Sequence, residues 1–182
     1  MRQEALVIGG TGMLAGTVVW LVEQGYSVTV LARDRRRFEQ LLLDVPDPQA
    51  VRLIQLDYHQ TVELKQAIEE LVAERGCVDL VVSWIQSSAP LALGTIQEVL
   101  SRPQKRWRLF QVCGSSAWKN PPEEIAMEQV VFRRVILGFV LGEKSARWLY
   151  NHEISQGIVD AIRLDQPLSI VGVVEPWEKR PI

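Results

Sequence analysis

The stretch ALVIGGTGMLAG, residues 5–16, constrains the fold of this chain more than any other. An apolar run precedes four glycines within eight residues, and a long apolar segment with the character of a helix follows them. A glycine-rich turn of this kind joins a buried strand to a helix and brings the first amides of the helix close to a ligand. The stretch therefore predicts a strand, a tight turn and a helix at the start of a sheet.

The remainder of the chain alternates between apolar runs and amphipathic segments. The apolar runs predict strands over residues 5–8, 27–32, 51–56, 78–83, 108–113, 130–141 and 168–174. Helices are predicted over residues 13–23, 35–43, 62–75 (capped by Thr61), 92–100, 121–129 (capped by Asn120) and 152–164 (capped by Asn151). This alternation predicts an α/β fold with a doubly wound, mostly parallel sheet of about seven strands and helices on both faces. We find no repeat or linker, so residues 1–182 are predicted to form a single domain.

The charge and the hydropathy of the chain argue against several kinds of partner. A formal charge of −2 gives no electrostatic reason to expect nucleic acid or an anionic membrane as a partner. No apolar run approaches the ~20 residues that span a bilayer, and the first strand lacks the basic flank of a signal peptide. The expected compartment is the cytoplasm, and no metal site is predicted.

The two cysteines, Cys77 and Cys113, are predicted to be small buried side chains rather than a disulfide. Cys77 opens one predicted parallel strand and Cys113 closes its neighbour, which places them at opposite edges of the sheet, beyond the reach of a disulfide.

The glycine-rich turn has the pattern G-x-x-G-x-x-A, formed by Gly9, Gly12 and Ala15. Gly9 permits a tight turn, Gly12 lets backbone approach a pyrophosphate, and Ala15 keeps the helix close to the sheet. No Gly-Lys-Ser/Thr follows, so the turn is not an ATP-type loop. A purely structural turn is the alternative. The predicted cofactor contacts in this turn are Gly9, Thr11, Gly12, Met13 and Leu14.

Four segments together carry a resemblance to a known family. VIGGTGMLAG, followed by VTVLARD, LDYHQ and LVVSWI, resembles the short-chain dehydrogenase/reductase superfamily, of the atypical or extended kind. The likeness covers the first half of the chain well, and the second half only in its order of strands. It implies a Rossmann-type fold that holds NAD or NADP across the carboxyl ends of the strands.

The end of the second predicted strand indicates which nucleotide is preferred. An acidic side chain there would bind the ribose 2′-hydroxyl of NAD, whereas this chain has Arg33, with Arg37 one helical turn later. An arginine fork suits the 2′-phosphate of NADP, so NADP is predicted and NAD is less favoured. Asp34 lies nearby, and the alternative is that RDRRR is a solvated run of charges at the start of a helix.

The resemblance also implies contacts at the adenine end of the cleft. The family places an acid against the adenine amine, which corresponds to Asp57 here, with Tyr58 beside it. A carboxylate at the start of a helix is the alternative role of Asp57. Ser83 and Trp84 end the fourth strand, where the family has a run of small residues, so Trp84 is a departure that narrows the cleft.

The catalytic residues of the family are not matched. Its reductases use Tyr-x-x-x-Lys on the helix after the fifth strand, with a serine that orients the carbonyl. The three tyrosines of this chain are followed, four residues later, by Val30, Val62 and Ile154. Two serines survive after the fifth strand, and a tyrosine follows the sixth. The candidate catalytic residues are Ser115, Ser116 and Tyr150.

Three tryptophans follow predicted strands and so belong to the ligand edge of the sheet. Trp84, Trp118 and Trp148 either form an apolar box for a flat ligand or fill a cleft left by missing segments.

The sequence thus supports two functions. The first is an NADP-dependent oxidoreductase that transfers a hydride to a small apolar or aromatic substrate, with a non-standard proton donor. The second is a catalytically silent NADP-binding redox sensor or partner-binding module. A Rossmann domain that binds no nucleotide is a third reading. A homo-oligomer is compatible with each of them.

Overall fold

The computed structural model describes residues 2–182 and contains a seven-stranded, fully parallel sheet with helices on both faces. The strands are β1 (Glu4–Ile8), β2 (Ser27–Ala32), β3 (Val51–Gln55), β4 (Leu80–Trp84), β5 (Trp107–Gly114), β6 (Val130–Leu137), β7 (Phe139–Leu141), β8 (Ala146–Trp148) and β9 (Leu168–Val171). The α-helices are α1 (Ala15–Glu23), α2 (Arg35–Asp44), α3 (Thr61–Arg75), α4 (Ala92–Ser101) and α5 (Asn151–Leu164). The predicted fold class is confirmed.

The order of strands in the main sheet is β3-β2-β1-β4-β5-β6-β9. β1 pairs with β2 on one side and with β4 on the other, so Val7 lies between Val30 and Val82. The direction of winding therefore reverses at β1. In open sheets of this kind, ligands bind outside the carboxyl ends of the strands at that reversal point.

Two apolar cores cover the two faces of the sheet, and alternate residues of β1 point into them. Val7 packs with Val18 of α1 and Ile158 of α5, whereas Ile8 packs with Ile68 of α3 and Ile96 of α4. All six side chains are fully buried, and each such burial contributes about 1.5–3 kcal/mol. The cores fix the helices of each face and so hold the turn after β1 in place.

The predicted helix over residues 121–129 is wrong, because this stretch is irregular. Pro122 disfavours the helical conformation for the residue before it, which is also a proline. The segment is held instead by its neighbours. Gln97 donates to the Ile125 carbonyl at 2.9 Å, and Arg134 donates to the Pro122 carbonyl at 2.7 Å. These tertiary contacts outweigh the local helix signals of Asn120 and the prolines.

The predicted strand over residues 130–141 is two strands. Gly138 separates β6, which belongs to the main sheet, from β7, which pairs antiparallel with the unpredicted β8. A side chain at position 138 would collide with the carbonyl oxygen of Val173. This close approach of two backbones therefore requires glycine, and it turns the chain out of the main sheet.

Several predicted boundaries are shifted. β4 begins at Leu80 rather than at residue 78, and β9 ends at Val171 rather than at residue 174. Thr61 and Asn151 are the first residues of their helices rather than the caps. The backbone N–H of Tyr150 donates to the carboxylate of Glu153 at 2.8 Å, so a residue in the first turn of α5 caps the helix.

Both cysteines are free thiols that are partly buried, and burial raises the pKa of Cys113. None of the helices in residues 2–182 is long and apolar enough to cross a bilayer.

Candidate nucleotide-binding cleft

A cleft of about 370 Å³ lies at the carboxyl ends of β1, β2 and β4. Its walls come from the turn after β1, the start of α2 and the loops that follow β3 and β4. The predicted cofactor residues that line it are Gly9, Thr11, Gly12, Met13, Arg33, Arg37, Tyr58 and Trp84. Residues that are far apart in the chain are thus brought to the place where the direction of winding reverses.

Three of the predicted cofactor residues do not line the cleft. Leu14 and Ser83 are buried beneath it, and the Ser83 hydroxyl has no hydrogen-bond partner within residues 2–182. Asp57 stands at the rim, 3.8 Å from the Arg33 guanidinium. Leu14 therefore supports the turn from below, through the core that it shares with Val18.

The three glycines of the turn differ in what surrounds them. Gly9 has a φ of +85°, a left-handed backbone conformation that favours glycine. A Cβ at Gly10 would lie 3.1 Å from methyl groups of Val7, Val18 and Val30, so this glycine serves packing. A Cβ at Gly12 would meet no atom within 4 Å. The Gly12 backbone therefore faces open space inside the cleft.

The two predicted arginines lie at the entrance of α2, and both side chains are about two-thirds exposed. Gln55 of β3 fixes the start of this region, because its amide donates to the Arg33 carbonyl at 3.2 Å. Asp34 caps α2, and its carboxylate accepts from the backbone N–H groups of Arg36 and Arg37 at 2.9 and 3.1 Å. Asp34 Oδ1 is therefore directed into the helix. The two guanidinium groups have only long carboxylate contacts, Arg37 with Asp34 at 3.7 Å and Arg33 with Asp57 at 3.8 Å, so both can still approach an anion.

Asp57 is fixed by the histidine two residues later. Its Oδ1 accepts from the His59 backbone N–H at 3.0 Å and lies 2.6 Å from His59 Nδ1. The pKa of Asp57 is lowered chiefly by the backbone bond, then by the ring of His59 and the charge of Arg33. The carboxylate thus closes the turn after β3 and caps no helix, which disagrees with its alternative role at a helix start.

Trp84 forms the wall between two loops. Its side chain packs beside Gly9, where a Cβ would lie 3.5 Å from Trp84 Cβ, and its ring edge approaches Gly114 at the end of β5. The tryptophan therefore stands between the glycine turn and the loop after β5.

The candidate catalytic residues lie at the other end of the sheet edge. Ser115 is buried and Ser116 is exposed, in the 3-10 helix Ser115–Trp118 that follows β5. Tyr150 is 57% exposed, with the Arg147 guanidinium 4.2 Å above its ring. Within residues 2–182, no hydrogen bond joins Tyr150 to either serine. The described residues therefore contain no preformed hydrogen-bonded pair of Tyr150 with Ser115 or Ser116.

The tryptophans of the ligand edge have different partners. Trp84 lines the cleft, whereas Trp118 donates its indole N–H to Glu175 at 3.0 Å. The Arg180 guanidinium lies 5.7 Å from the Trp148 ring and 4.7 Å from the Trp177 ring. The carboxyl-terminal segment therefore contacts two of the three tryptophans, Trp118 and Trp148.

Sequence reasoning missed several residues that line the cleft, among them Gln86 and Asn151. Gln86 donates its backbone N–H to the Tyr58 hydroxyl at 3.3 Å, which joins the loops after β3 and β4. Asn151 starts α5, and it also lines an adjoining cavity of about 520 Å³ between the glycine turn and α5. The Ser155 hydroxyl donates to the Met13 carbonyl at 2.8 Å, so α5 anchors the turn directly. Only knowledge of how α5 packs against α1 could have identified Asn151 and Ser155 as neighbours of the glycine turn.

No protein-family model matches the sequence, and no curated protein matches it. Solved structures do match. A short-chain dehydrogenase/reductase from Brucella melitensis, described as a glucose/ribitol dehydrogenase, has a TM-score of 0.71 at 10% identity, covering 93% of this chain and 96% of that chain. An actinorhodin polyketide ketoreductase, solved with NADPH, has a TM-score of 0.70 at 12% identity, covering 94% of this chain and 96% of that chain.

A short-chain dehydrogenase from Bacillus anthracis has a TM-score of 0.56 at 14% identity. The match covers 66% of this chain and 58% of the length of that dehydrogenase. At these identities the likeness concerns the fold. The chain has the Rossmann-type fold of the short-chain dehydrogenase/reductases, as the sequence motifs imply.

Proposed function

We propose that this protein binds NADP(H) in the cleft and is an oxidoreductase that transfers a hydride between this cofactor and a small apolar or aromatic substrate. The observation that supports the proposal most is the convergence on one cleft of the glycine turn, the two arginines after β2 and the aromatic residues after β3 and β4. A purely structural turn would not require Gly12, whose Cβ position is open.

The preference for NADP over NAD follows from the charges at the end of β2. Arg33 and Arg37 line the cleft, and their side chains are exposed enough to approach a 2′-phosphate. Asp34, the acid that would otherwise accept from a ribose 2′-hydroxyl, already accepts two backbone N–H groups of α2. A charge-assisted fork to the 2′-phosphate would also offset the unfavourable position of arginines in the first turn of a helix.

The residues present fit such a cofactor, and each has a role in holding it. The turn from Gly9 to Met13 would hold the pyrophosphate, Arg33 and Arg37 the 2′-phosphate, and Asp57 the adenine amine through its Oδ2. The bound cofactor supplies the hydride. Ser115 would orient the substrate carbonyl and Tyr150 would donate the proton, provided that substrate binding brings the two together.

The second candidate function is a catalytically silent NADP-binding module. It is favoured by the irregular course of residues 119–129, because the family begins its catalytic helix after the fifth strand. In this reading the nucleotide half of the fold is kept for sensing the redox state or for binding a partner, and the hydroxyls of the other half have no chemical role.

Two measurements test the proposals. Calorimetry should show NADPH binding at least ~10-fold tighter than NADH, a difference of about 1.4 kcal/mol. Steady-state oxidation of NADPH with aldehydes, quinones and imines then separates the two functions. Turnover supports the oxidoreductase, tight binding without turnover supports the silent module, and equal affinity for the two nucleotides contradicts the preference for NADP.

A further inference from the structure

We propose that Ser88, His59 and Asp57 form a second site at the rim of the cleft, in which Ser88 is a nucleophile toward small carboxylic esters. This site does not depend on NADP. It is built from the two loops that follow β3 and β4, which the parallel sheet places side by side. No part of it belongs to the glycine turn.

The three side chains form a continuous chain of hydrogen-bonding groups. Asp57 Oδ1 lies 2.6 Å from His59 Nδ1, and His59 Nε2 lies 2.9 Å from the Ser88 hydroxyl. Because an ionised carboxylate can only accept, the proton of the imidazole belongs on Nδ1. Nε2 is then an acceptor, and the Ser88 hydroxyl donates to it. This is the arrangement in which a histidine can take the proton of an attacking serine.

Other contacts hold Asp57, His59 and Ser88 in place. The His59 backbone N–H also donates to Asp57, so the acid and the base share one turn. The rings of Tyr58 and His59 stack with their centroids 5.0 Å apart, and the Tyr58 hydroxyl accepts from the backbone of Gln86. The Gln86 carbonyl in turn accepts from the Ala89 N–H at 3.0 Å, which closes the turn that carries Ser88. The positions of base and nucleophile are thus fixed by the same pair of loops.

The surroundings suit a small substrate that arrives from solvent. Ser88 is exposed, and the His59 side chain is about one-third exposed. The backbone N–H of Ser88 donates to no acceptor within residues 2–182 and is available to an oxyanion. Ser88 is exposed and lines neither the cleft nor the adjoining cavity, so a short acyl group with a good leaving group is the expected class of ester.

The reaction balances with water as the second reactant. The Ser88 oxygen attacks the acyl carbon while His59 Nε2 takes the hydroxyl proton. The carbon–oxygen bond to the leaving alcohol then breaks, and the alcohol takes the proton from His59. Water, deprotonated by His59, attacks the acyl-serine, and the carboxylic acid leaves as the Ser88 hydroxyl is restored.

A fluorophosphonate probe tests the nucleophile. The serine oxygen forms a bond to phosphorus, fluoride leaves, and the proton passes to His59. We expect intact-mass and peptide analysis to place one adduct on Ser88. Ser88→Ala should abolish it, and His59→Gln should slow labelling by roughly 100-fold or more, the usual scale for loss of a general base. Ser87→Ala is the matched control, because this neighbouring exposed serine makes no bond to His59, and it should label at the normal rate.

The rate of p-nitrophenyl acetate hydrolysis should rank the variants in the same order as the rate of labelling: Ser87→Ala fastest, His59→Gln much slower and Ser88→Ala inactive. Asp57 acts through His59 as a positioning residue, so Asp57→Ala should slow labelling and added formate, a small carboxylate, should restore part of the rate. Labelling at any residue other than Ser88, or labelling of Ser88 at an unchanged rate in His59→Gln, would overturn the proposal. NADPH is absent from these assays, so their failure is distinct from failure of nucleotide binding.

Discussion

The two halves of this molecule differ in how regularly they are built. In the amino-terminal half, from β1 to β4, each strand is joined to the next by a helix, and the glycine turn is packed between strand, helix and α5. In the carboxyl-terminal half, the connection from β5 to β6 is irregular and the chain leaves the sheet at Gly138 to form the β7–β8 hairpin. The regular half carries the features that we propose to bind a nucleotide. The irregular half carries Ser115, Ser116 and Tyr150, on which the proposed hydride transfer would depend, so nucleotide binding and that reaction can be disrupted separately.

The largest effect is expected in the regular half. Gly12→Val should weaken NADPH binding by at least ~100-fold, since its side chain would occupy the open space in the cleft, while the fold is retained. Calorimetry and thermal unfolding measure the two properties. Gly10→Ala provides the contrast, because its Cβ would crowd three valines and should lower the free energy of unfolding by about 1–3 kcal/mol. Normal binding by Gly12→Val would make the turn purely structural.

The irregular half should respond in turnover but not in binding. Tyr150→Phe removes one exposed oxygen and keeps the ring that packs beneath Arg147. We expect normal affinity for NADPH and a rate of substrate reduction lower by roughly 100-fold, the usual scale of general acid catalysis. Unchanged turnover in single-turnover and steady-state assays would remove Tyr150 from the mechanism and leave the proton to another group.

A smaller effect is expected at the arginines of the regular half. Arg33→Ala should reduce the preference for NADPH over NADH by about tenfold, because one charge-assisted interaction contributes ~1.5–3 kcal/mol. Arg36→Ala is a matched control, since it removes the same charge from α2 at a position that does not line the cleft. If both variants lose the preference for NADPH equally, the preference arises from the net charge of this region and not from a specific contact of Arg33 with the 2′-phosphate.

The smallest expected effect is a dependence of stability on pH in the irregular half. Arg147, and then the Tyr150 N–H, lower the pKa of Glu153 from its usual 4.5 to about 2. This contribution to stability is present above pH 4.5 and is lost as the pH falls toward 2. Glu153→Gln should therefore flatten the fall in melting temperature over this range. Glu143→Gln, which removes a carboxyl without an ion pair in residues 2–182, should leave the slope unchanged.

The regular half could be predicted from the sequence because local signals and packing agree there. The strands at β1, β2 and β3 were located to within a residue, and the residues after them meet in the cleft as expected from parallel strands. The irregular half could not, because its course depends on contacts between distant segments. The contact of Gly138 with the Val173 carbonyl and the hydrogen bond from Gln97 to Ile125 leave no periodic signal in the chain.

The candidate site divides in the same way. Residues adjacent to strand ends, such as Arg33 and Tyr58, could be placed from the order of elements alone. Asn151 and the pairing of His59 with Ser88 could not, because each joins loops that are far apart in the sequence. A histidine with no recognisable motif around it gives no local indication of its partners.

The irregular connection from β5 to β6 has a consequence for the timing of motions in the molecule. Its backbone forms few hydrogen bonds, and side chains such as Gln97, Ser101 and Arg134 hold it to the body of the fold. Such a segment can open without unpairing any strand, at a cost well below that of global unfolding. Its amides should exchange with deuterium long before those of β5, and a protease should cut there first. The chain would then remain folded as a nicked protein, with its seven-stranded sheet intact.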